Sequence, residues 1–128
     1  GNNDNLRFDV GATGTQIPVG DNDTTVDNFA AGTIAATDDG TSHEVVVVTD
    51  DNIDGVGDLG VQGTIDLYNG IGTGALFVFD VGSEAQVWYD GNPSAAGGAT
   101  LVATLTGITD ITGPPPPTTF TAGDFVFV

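Results

Sequence analysis

Cysteine is absent from the sequence, and histidine occurs once, as His43. Without cysteine the chain cannot form disulfide bonds, thiolate zinc sites or thiol redox centres. A single histidine cannot assemble the histidine and cysteine ligand sets that transition metals prefer. Small domains without disulfides often gain stability from hard metal ions or from assembly contacts, and we expect one of these here.

Lysine and arginine together are as scarce as histidine, with one residue in the sequence. Arg7 stands alone against 18 acidic residues, and the formal net charge is −17 at pH 7. A nucleic-acid backbone would be repelled, because no cluster of Lys and Arg exists to displace its counterions. Anionic lipid surfaces are excluded for the same reason, and no apolar run has the length of a transmembrane helix. We therefore expect neither nucleic-acid binding nor membrane insertion.

The excess of negative charge makes the compact state repel itself unless dissolved cations screen it. High salt or millimolar calcium would provide that screening, and weak calcium sites are typical of extracellular modules. The composition therefore predicts an extracellular or cell-surface protein, with Ca²⁺ as the expected cofactor.

Glycine is abundant, with 20 residues that mostly separate short apolar runs. This pattern favours strands and turns, because glycine destabilises helix interiors. The clearest strand is His43–Thr49, with four consecutive valines, and Ala75–Asp80 and Ala85–Tyr89 form a predicted hairpin. About seven to nine short strands predict an all-β fold, an antiparallel β-sandwich or β-roll, in one domain over residues 1–128.

Two segments fit this pattern less directly. Phe29–Thr37 is small and apolar, and Gly32 within it favours a bulged strand over a helix. Asp50–Gly63 is acidic and rich in glycine and is predicted as a loop, while Thr64–Tyr68 is either a strand or one helical turn.

The C-terminal half carries an ordered set of short motifs. They are Val87-Trp88-Tyr89-Asp90, Gly97-Gly98, Ala103-Thr104-Leu105-Thr106-Gly107 and the final Asp124-Phe125-Val126-Phe127-Val128. In this order, residues 74–128 resemble the C-terminal flank of repeats-in-toxin proteins, which are exported by the type I pathway, and residues 27–50 are similar more faintly. The nonapeptide calcium repeats of that family are absent, so the resemblance brings no calcium ligands.

The resemblance implies a region that caps a calcium β-roll and carries an uncleaved C-terminal secretion signal, as in surface-layer proteins, adhesins and exported enzymes. The signal residues would be Asp124, Phe125, Val126, Phe127 and Val128, and their partner would be the type I export machinery. The same residues are alternatively an edge strand that pairs within the domain or with a neighbouring subunit. The tail can act as an export signal before the chain folds and as an edge strand afterwards.

The best metal candidate is the acidic loop from Asp50 to Asp58. Oxygen-bearing side chains occupy positions 1, 3, 5 and 9 of an EF-hand-like pattern, and glycine occupies position 6. These residues are Asp50, Asn52, Asp54, Asp58 and Gly55. Position 12, where a bidentate Glu belongs, is Val61, and the alternative interpretation is a solvated acidic turn.

Two further acidic clusters are weaker candidates of the same kind. They are Asp21, Asp23 and Asp27 in the first cluster, and Asp38, Asp39 and Glu44 in the second. Aspartate favours turns on its own account, so a plain turn is the alternative for each.

No residue pair predicts catalysis. Ser42 and His43 are adjacent, so on a strand they would point to opposite faces, and His43 is expected at the surface. Trp88 and Tyr89 could stack on a sugar, but alternation predicts a packed hairpin with one ring in the core and one outside. Carboxylate pairs for glycoside hydrolysis stay open, although nothing in the sequence singles one out.

These observations predict a secreted, non-enzymatic structural or adhesive module with calcium-supported acidic loops and a C-terminal export signal. The alternative is a self-assembling subunit of an extracellular filament, surface layer or capsid decoration, joined by strand-edge pairing. A small carbohydrate-binding or hydrolytic domain is a third hypothesis. The expected partner is a second copy of the chain or a surface ligand.

Overall fold

The fold is taken from a computed structural model, which describes residues 5–11, 14, 16–49, 59–82, 84–108, 111 and 120–128. Within these ranges the elements in chain order are β1 (Leu6–Phe8), β2 (Phe29–Gly32), α1 (Ile34–Thr37), β3 (Val45–Val48), α2 (Gly60–Ile65), β4 (Ala75–Asp80), β5 (Ala85–Asp90), β6 (Thr100–Leu105), a 3₁₀ turn (Ala122–Asp124) and β7 (Phe125–Phe127). Strands dominate and both helices are short, so the predicted all-β class is confirmed.

Five of the strands form one mixed sheet in the order β2-β3-β4-β5-β6. β2, β3 and β4 run parallel, whereas β4, β5 and β6 run antiparallel. The expectation of a purely antiparallel sheet is therefore wrong, and the sandwich or roll arrangement is not confirmed. The physical reason is that α1 and α2 lie in the connections that follow β2 and β3, and such crossovers return the chain to the same end of a sheet.

β3 and β4 lie at the centre of this sheet and are buried along their whole length. Their apolar residues are consecutive, which is typical of strands covered on both faces. Val45 and Val47 pack on the face that β1 and β7 cover, which we call the ribbon face. Val46 and Val48 pack on the opposite face against Ile65 of α2, and we call this the helix face.

β1 and β7 form a separate two-stranded parallel sheet. Phe8 pairs with Phe127, and the amide of Val128 donates to the carbonyl of Phe8 at 2.9 Å. The ring of Phe125 contacts three others, with centroid distances of 6.4, 6.1 and 5.8 Å to Phe8, Phe29 and Phe120. The final strand therefore helps to close the apolar cluster of the ribbon face.

α1 and α2 occupy segments that the sequence assigned otherwise. The predicted bulged strand over Phe29–Thr37 ends at Gly32 and continues as α1, and the predicted loop up to Gly63 contains the first turn of α2. Ile34 and Ile65 pack on the helix face, so tertiary contacts stabilise helices that are too short to form alone. For Thr64–Tyr68 the prediction of one helical turn agrees with the structure better than the prediction of a strand, because α2 extends to Ile65.

Candidate metal centre

An acidic loop, residues 20–27, leads into β2 and is shaped by its own aspartates. The amide of Asp23 donates to Oδ1 of Asp21 at 3.2 Å, and the amide of Thr25 donates to Oδ1 of Asp23 at 2.6 Å. These turns gather the carboxylates of Asp21, Asp23 and Asp27, whose oxygens lie within 4.8 Å of one another. The structure thus brings together the residues of the first of the two weaker predicted clusters.

Glu44 lies directly before β3, is only 4% exposed and contacts the acidic loop through its carboxylate. Its Oε2 accepts hydrogen bonds from the amides of Asp27 at 2.7 Å and Asn28 at 3.4 Å. Its carboxylate also lies against Gly20, where a Cβ atom would collide with Oε1. No described residue donates a hydrogen bond to Oε1.

A pocket of about 340 Å³ opens between this loop and the start of β3. Three lining residues are carboxylates, Asp21, Asp27 and Glu44. Asn28, Ser42 and Thr73 add neutral oxygens, and Ser42 Oγ lies 3.0 Å from Thr73 Oγ1. This set offers hard oxygen donors, which calcium prefers.

The carboxylates of the pocket have no cationic side chain beside them. Across the described ranges the single contact of ion-pair geometry joins His43 Nε2 to Asp39 Oδ1 at 3.0 Å, and it is an ion pair only when His43 is protonated. Arg7 is exposed on β1. A carboxylate as buried as that of Glu44 costs free energy unless it is paired or coordinated. Glu44 lies outside the 4.8 Å group of aspartates, so it would position the loop and add negative charge, while the aspartates would supply the ligands.

Local sequence patterns do not reveal most of this pocket. Glu44 is close in sequence to Asp38 and Asp39, and no motif indicates a role for Thr73. The one available signal was an acidic residue placed immediately before four buried valines, where a charge needs a partner.

The other predicted clusters fare differently. Asp50, Asn52, Asp54 and Asp58 lie outside the described residues, so the metal prediction for that loop stays a prediction. Asp38, Asp39 and Glu44 form no metal-sized group among the described residues, so of the two interpretations of this cluster the structure agrees with the turn.

The carboxylate of Asp39 instead stabilises the turn in which Asp39 lies. Its Oδ1 accepts a hydrogen bond from the amide of Thr41 at 2.8 Å. Hydrogen bonds from Thr41, above all that from its backbone amide, lower the pKa of the Asp39 carboxyl.

His43 is buried, so its predicted surface position is wrong. Its Nε2 contacts Asp39, whereas Nδ1 has no hydrogen-bond partner within the described part of the chain. Ser42 and His43 lie before β3, which begins at Val45, so the strand alternation predicted for them does not apply. Their side chains nevertheless have different partners, since Ser42 Oγ bonds Thr73 Oγ1.

Trp88 and Tyr89 pack on opposite faces of the sheet, and both are half-buried. The prediction that one of them lies outside the core is wrong, because both faces of this sheet are covered. The indole Nε1 of Trp88 donates to Gln86 Oε1 at 2.9 Å, and the hydroxyl of Tyr89 donates to the carbonyl of Pro18 at 3.0 Å.

The final five residues lie within their own domain. Asp124 accepts hydrogen bonds from the amide and hydroxyl of Thr121, at 2.7 and 2.9 Å, and so caps the 3₁₀ turn. Phe125 and Phe127 are buried, Val126 is half-buried and Val128 is exposed. Of the two uses predicted for the tail, the structure contains the strand, and the secretion signal stays a prediction.

In the ranges that the structure covers, no helix combines the length and apolar character needed to cross a bilayer. Comparisons of the chain with protein-family models, curated proteins and solved structures returned no match. A functional assignment therefore depends on the chemistry of the pocket and on the surface of the chain.

Proposed function

We propose that the chain is a secreted, non-enzymatic structural or adhesive module whose acidic loops bind calcium, with the loop from Asp21 to Asp27 as the principal site. The supporting observation is the pocket that Asp21, Asp27 and the buried Glu44 line without a cationic side chain among them. A bound cation would offset the repulsion between these groups and fix the loop on the sheet.

The donor chemistry favours calcium over other divalent ions. Zinc prefers nitrogen and sulfur ligands, and magnesium demands a strict octahedron and keeps several waters. Calcium accepts an irregular set of carboxylate, amide and hydroxyl oxygens, which is what the pocket offers. Because the three aspartates are exposed, we expect weak binding, with a dissociation constant of about 10⁻⁴–10⁻³ M, as in other extracellular modules.

Type I export is part of the same proposal and is supported by the resemblance of residues 74–128. Phe125 and Phe127 are buried once the chain is folded. An export machinery that reads these residues would therefore act on the unfolded chain, and folding would follow outside the cell, where calcium is abundant.

Thermal unfolding at constant ionic strength tests the calcium site. At a calcium concentration ten times the dissociation constant, linkage predicts a gain of about 1.4 kcal/mol in the free energy of unfolding. Asp23→Asn removes one carboxylate of the cluster and should abolish most of this gain, as should Glu44→Gln. Asp38→Asn removes the same charge from an exposed position outside the pocket and should preserve the gain.

The contrary outcomes are equally clear. If calcium raises the melting temperature no more than sodium does at equal ionic strength, the proposed calcium site is contradicted. An equal loss of the calcium response in Asp23→Asn and Asp38→Asn would show diffuse screening in place of a site.

A further inference from the structure

β6 is the exposed edge of the five-stranded sheet. Within the described residues it pairs only with β5, and four of its six residues are exposed. Leu101 and Val102 are 43% and 37% exposed, which is unusual for large apolar side chains in a strand. An edge strand of this kind presents a row of unpaired backbone N–H and C=O groups to another strand.

Charge is missing from the chain segment that contains β6. The segment 91–109 contains no Asp, Glu, Lys or Arg, although the chain carries 18 acidic residues. Exposed edges are usually protected by charged side chains, proline or bulges, and of these β6 has only the bulge at Val102. A second molecule with the same net charge of −17 can therefore approach here without placing carboxylates opposite one another.

The opposite edge of the sheet is protected. β2 has only four residues, ends in Gly32 and begins two residues after Asp27 of the acidic loop. A like-charged molecule that approaches β2 meets the cluster of Asp21, Asp23 and Asp27. The two edges thus differ in length and in charge, and only β6 suits pairing between copies.

We propose that β6 pairs antiparallel with β6 of a second copy, so that two five-stranded sheets join into one across a two-fold axis. A two-fold interface uses the same patch on both subunits, which an uncharged edge permits and an acidic edge opposes. Val102 has no partner on β5 because the register shifts there, and this bulge increases the local twist. The bulge leaves the edge accessible, because Leu101 and Val102 stay exposed beside it. The protected β2 edge then limits assembly to a closed dimer.

Sedimentation velocity over a concentration series, in saline buffer with and without calcium, tests this pairing. The wild type should show a reversible monomer–dimer equilibrium. Thr104→Asp puts one carboxylate on each β6 edge and should raise the dimer dissociation constant at least about tenfold, because like charges facing each other across strands destabilise pairing. Ala35→Asp adds the same charge on exposed α1 and should leave the constant within about twofold.

Amide hydrogen exchange of the wild type decides the question even if Thr104→Asp fails to fold. Amides of residues 100–105 should exchange more slowly as the protein concentration rises. A strict monomer, association that protects only other segments, or equal weakening by Thr104→Asp and Ala35→Asp would overturn the proposal. None of these outcomes depends on calcium, so the β6 pairing and the metal site succeed or fail separately.

Discussion

At the scale of single residues, the pocket depends on a close contact between Gly20 and Glu44. Gly20 has φ 54°, a left-handed conformation that side chains disfavour, and a Cβ there would strike the Glu44 carboxylate. Glycine at this position therefore allows the left-handed backbone of the turn and leaves room for the buried Glu44 carboxylate.

Gly20→Ala tests this contact against a matched control. Gly40 also has positive φ, at 79°, but an added Cβ would meet nothing within 4 Å. Gly40→Ala should cost about 1–2 kcal/mol for the left-handed backbone alone. Gly20→Ala should cost more in urea unfolding and should also lose the calcium-dependent gain. If both variants lose the same free energy of unfolding and both keep the calcium response, the contact between Gly20 and Glu44 does not position the Glu44 carboxylate.

Tyr89 makes a second testable contact, between β5 and the segment before the acidic loop. Its hydroxyl donates to the carbonyl of Pro18 at 3.0 Å. Burial, and secondarily the charge of Asp90, raises the pKa of Tyr89 above its usual value of 10.0. The folded chain therefore keeps this proton at pH values where the unfolded chain loses it, so the stabilisation is complete below pH 10 and declines as pH rises through the folded pKa.

Tyr89→Phe removes the hydroxyl and its hydrogen bond. The variant should be about 1 kcal/mol less stable than the wild type at neutral pH, because the lost bond is a typical intramolecular one. The difference should shrink above pH 10, because the wild type loses the proton of Tyr89 there, whereas the variant has no ionisable group at that position. Chemical unfolding at several pH values measures both effects, and a gap that widens with alkaline pH would contradict this account.

At the scale of secondary-structure elements, β7 is the piece whose loss should matter most. Phe125 and Phe127 are buried in the ribbon-face cluster, and β7 pairs with β1 along three residues. Phe127→Ala should therefore destabilise the fold by about 3–5 kcal/mol.

Val128→Ala is the control, because Val128 is 42% exposed and should cost less than about 1 kcal/mol. Denaturant midpoints compare the two variants directly. A Phe127→Ala protein as stable as Val128→Ala would mean that β7 does not belong to the core in solution.

The elements that sequence reasoning located well are those with strong local signals. β3 stands out by four valines, and the strands of the β4–β5 hairpin end within a residue of their predicted bounds. β2, α1 and α2 were harder, because Gly32 and the glycines around Val61 disfavour the helices that packing against the helix face produces. The parallel pairing of β2, β3 and β4 followed from those missed helices.

The site was predictable only in part for a similar reason. The aspartates from Asp21 to Asp27 are local in sequence and were recognised as a cluster. Glu44 and Thr73 reach the same pocket through the sheet, at separations that no local pattern encodes. The segment from Asp50 to Asp58, preferred from its spacing, lies outside the described residues.

At the scale of the whole molecule, the net charge of −17 should make stability depend on salt. Raising sodium chloride from about 0.01 M to 1 M shortens the Debye length from about 30 Å to 3 Å. The urea midpoint should therefore rise with salt at an unchanged m-value, which equilibrium unfolding measures. A midpoint that stays flat or falls would show that self-repulsion does not limit this fold.

The central claim is that calcium binds at the loop held by Glu44, and a calcium titration followed by two-dimensional ¹H–¹⁵N NMR tests it most directly. We predict saturable shifts concentrated at the amides of residues 20–28 and 44, with a midpoint at about 10⁻⁴–10⁻³ M calcium. Small, non-saturating shifts spread evenly over every acidic turn would contradict the claim.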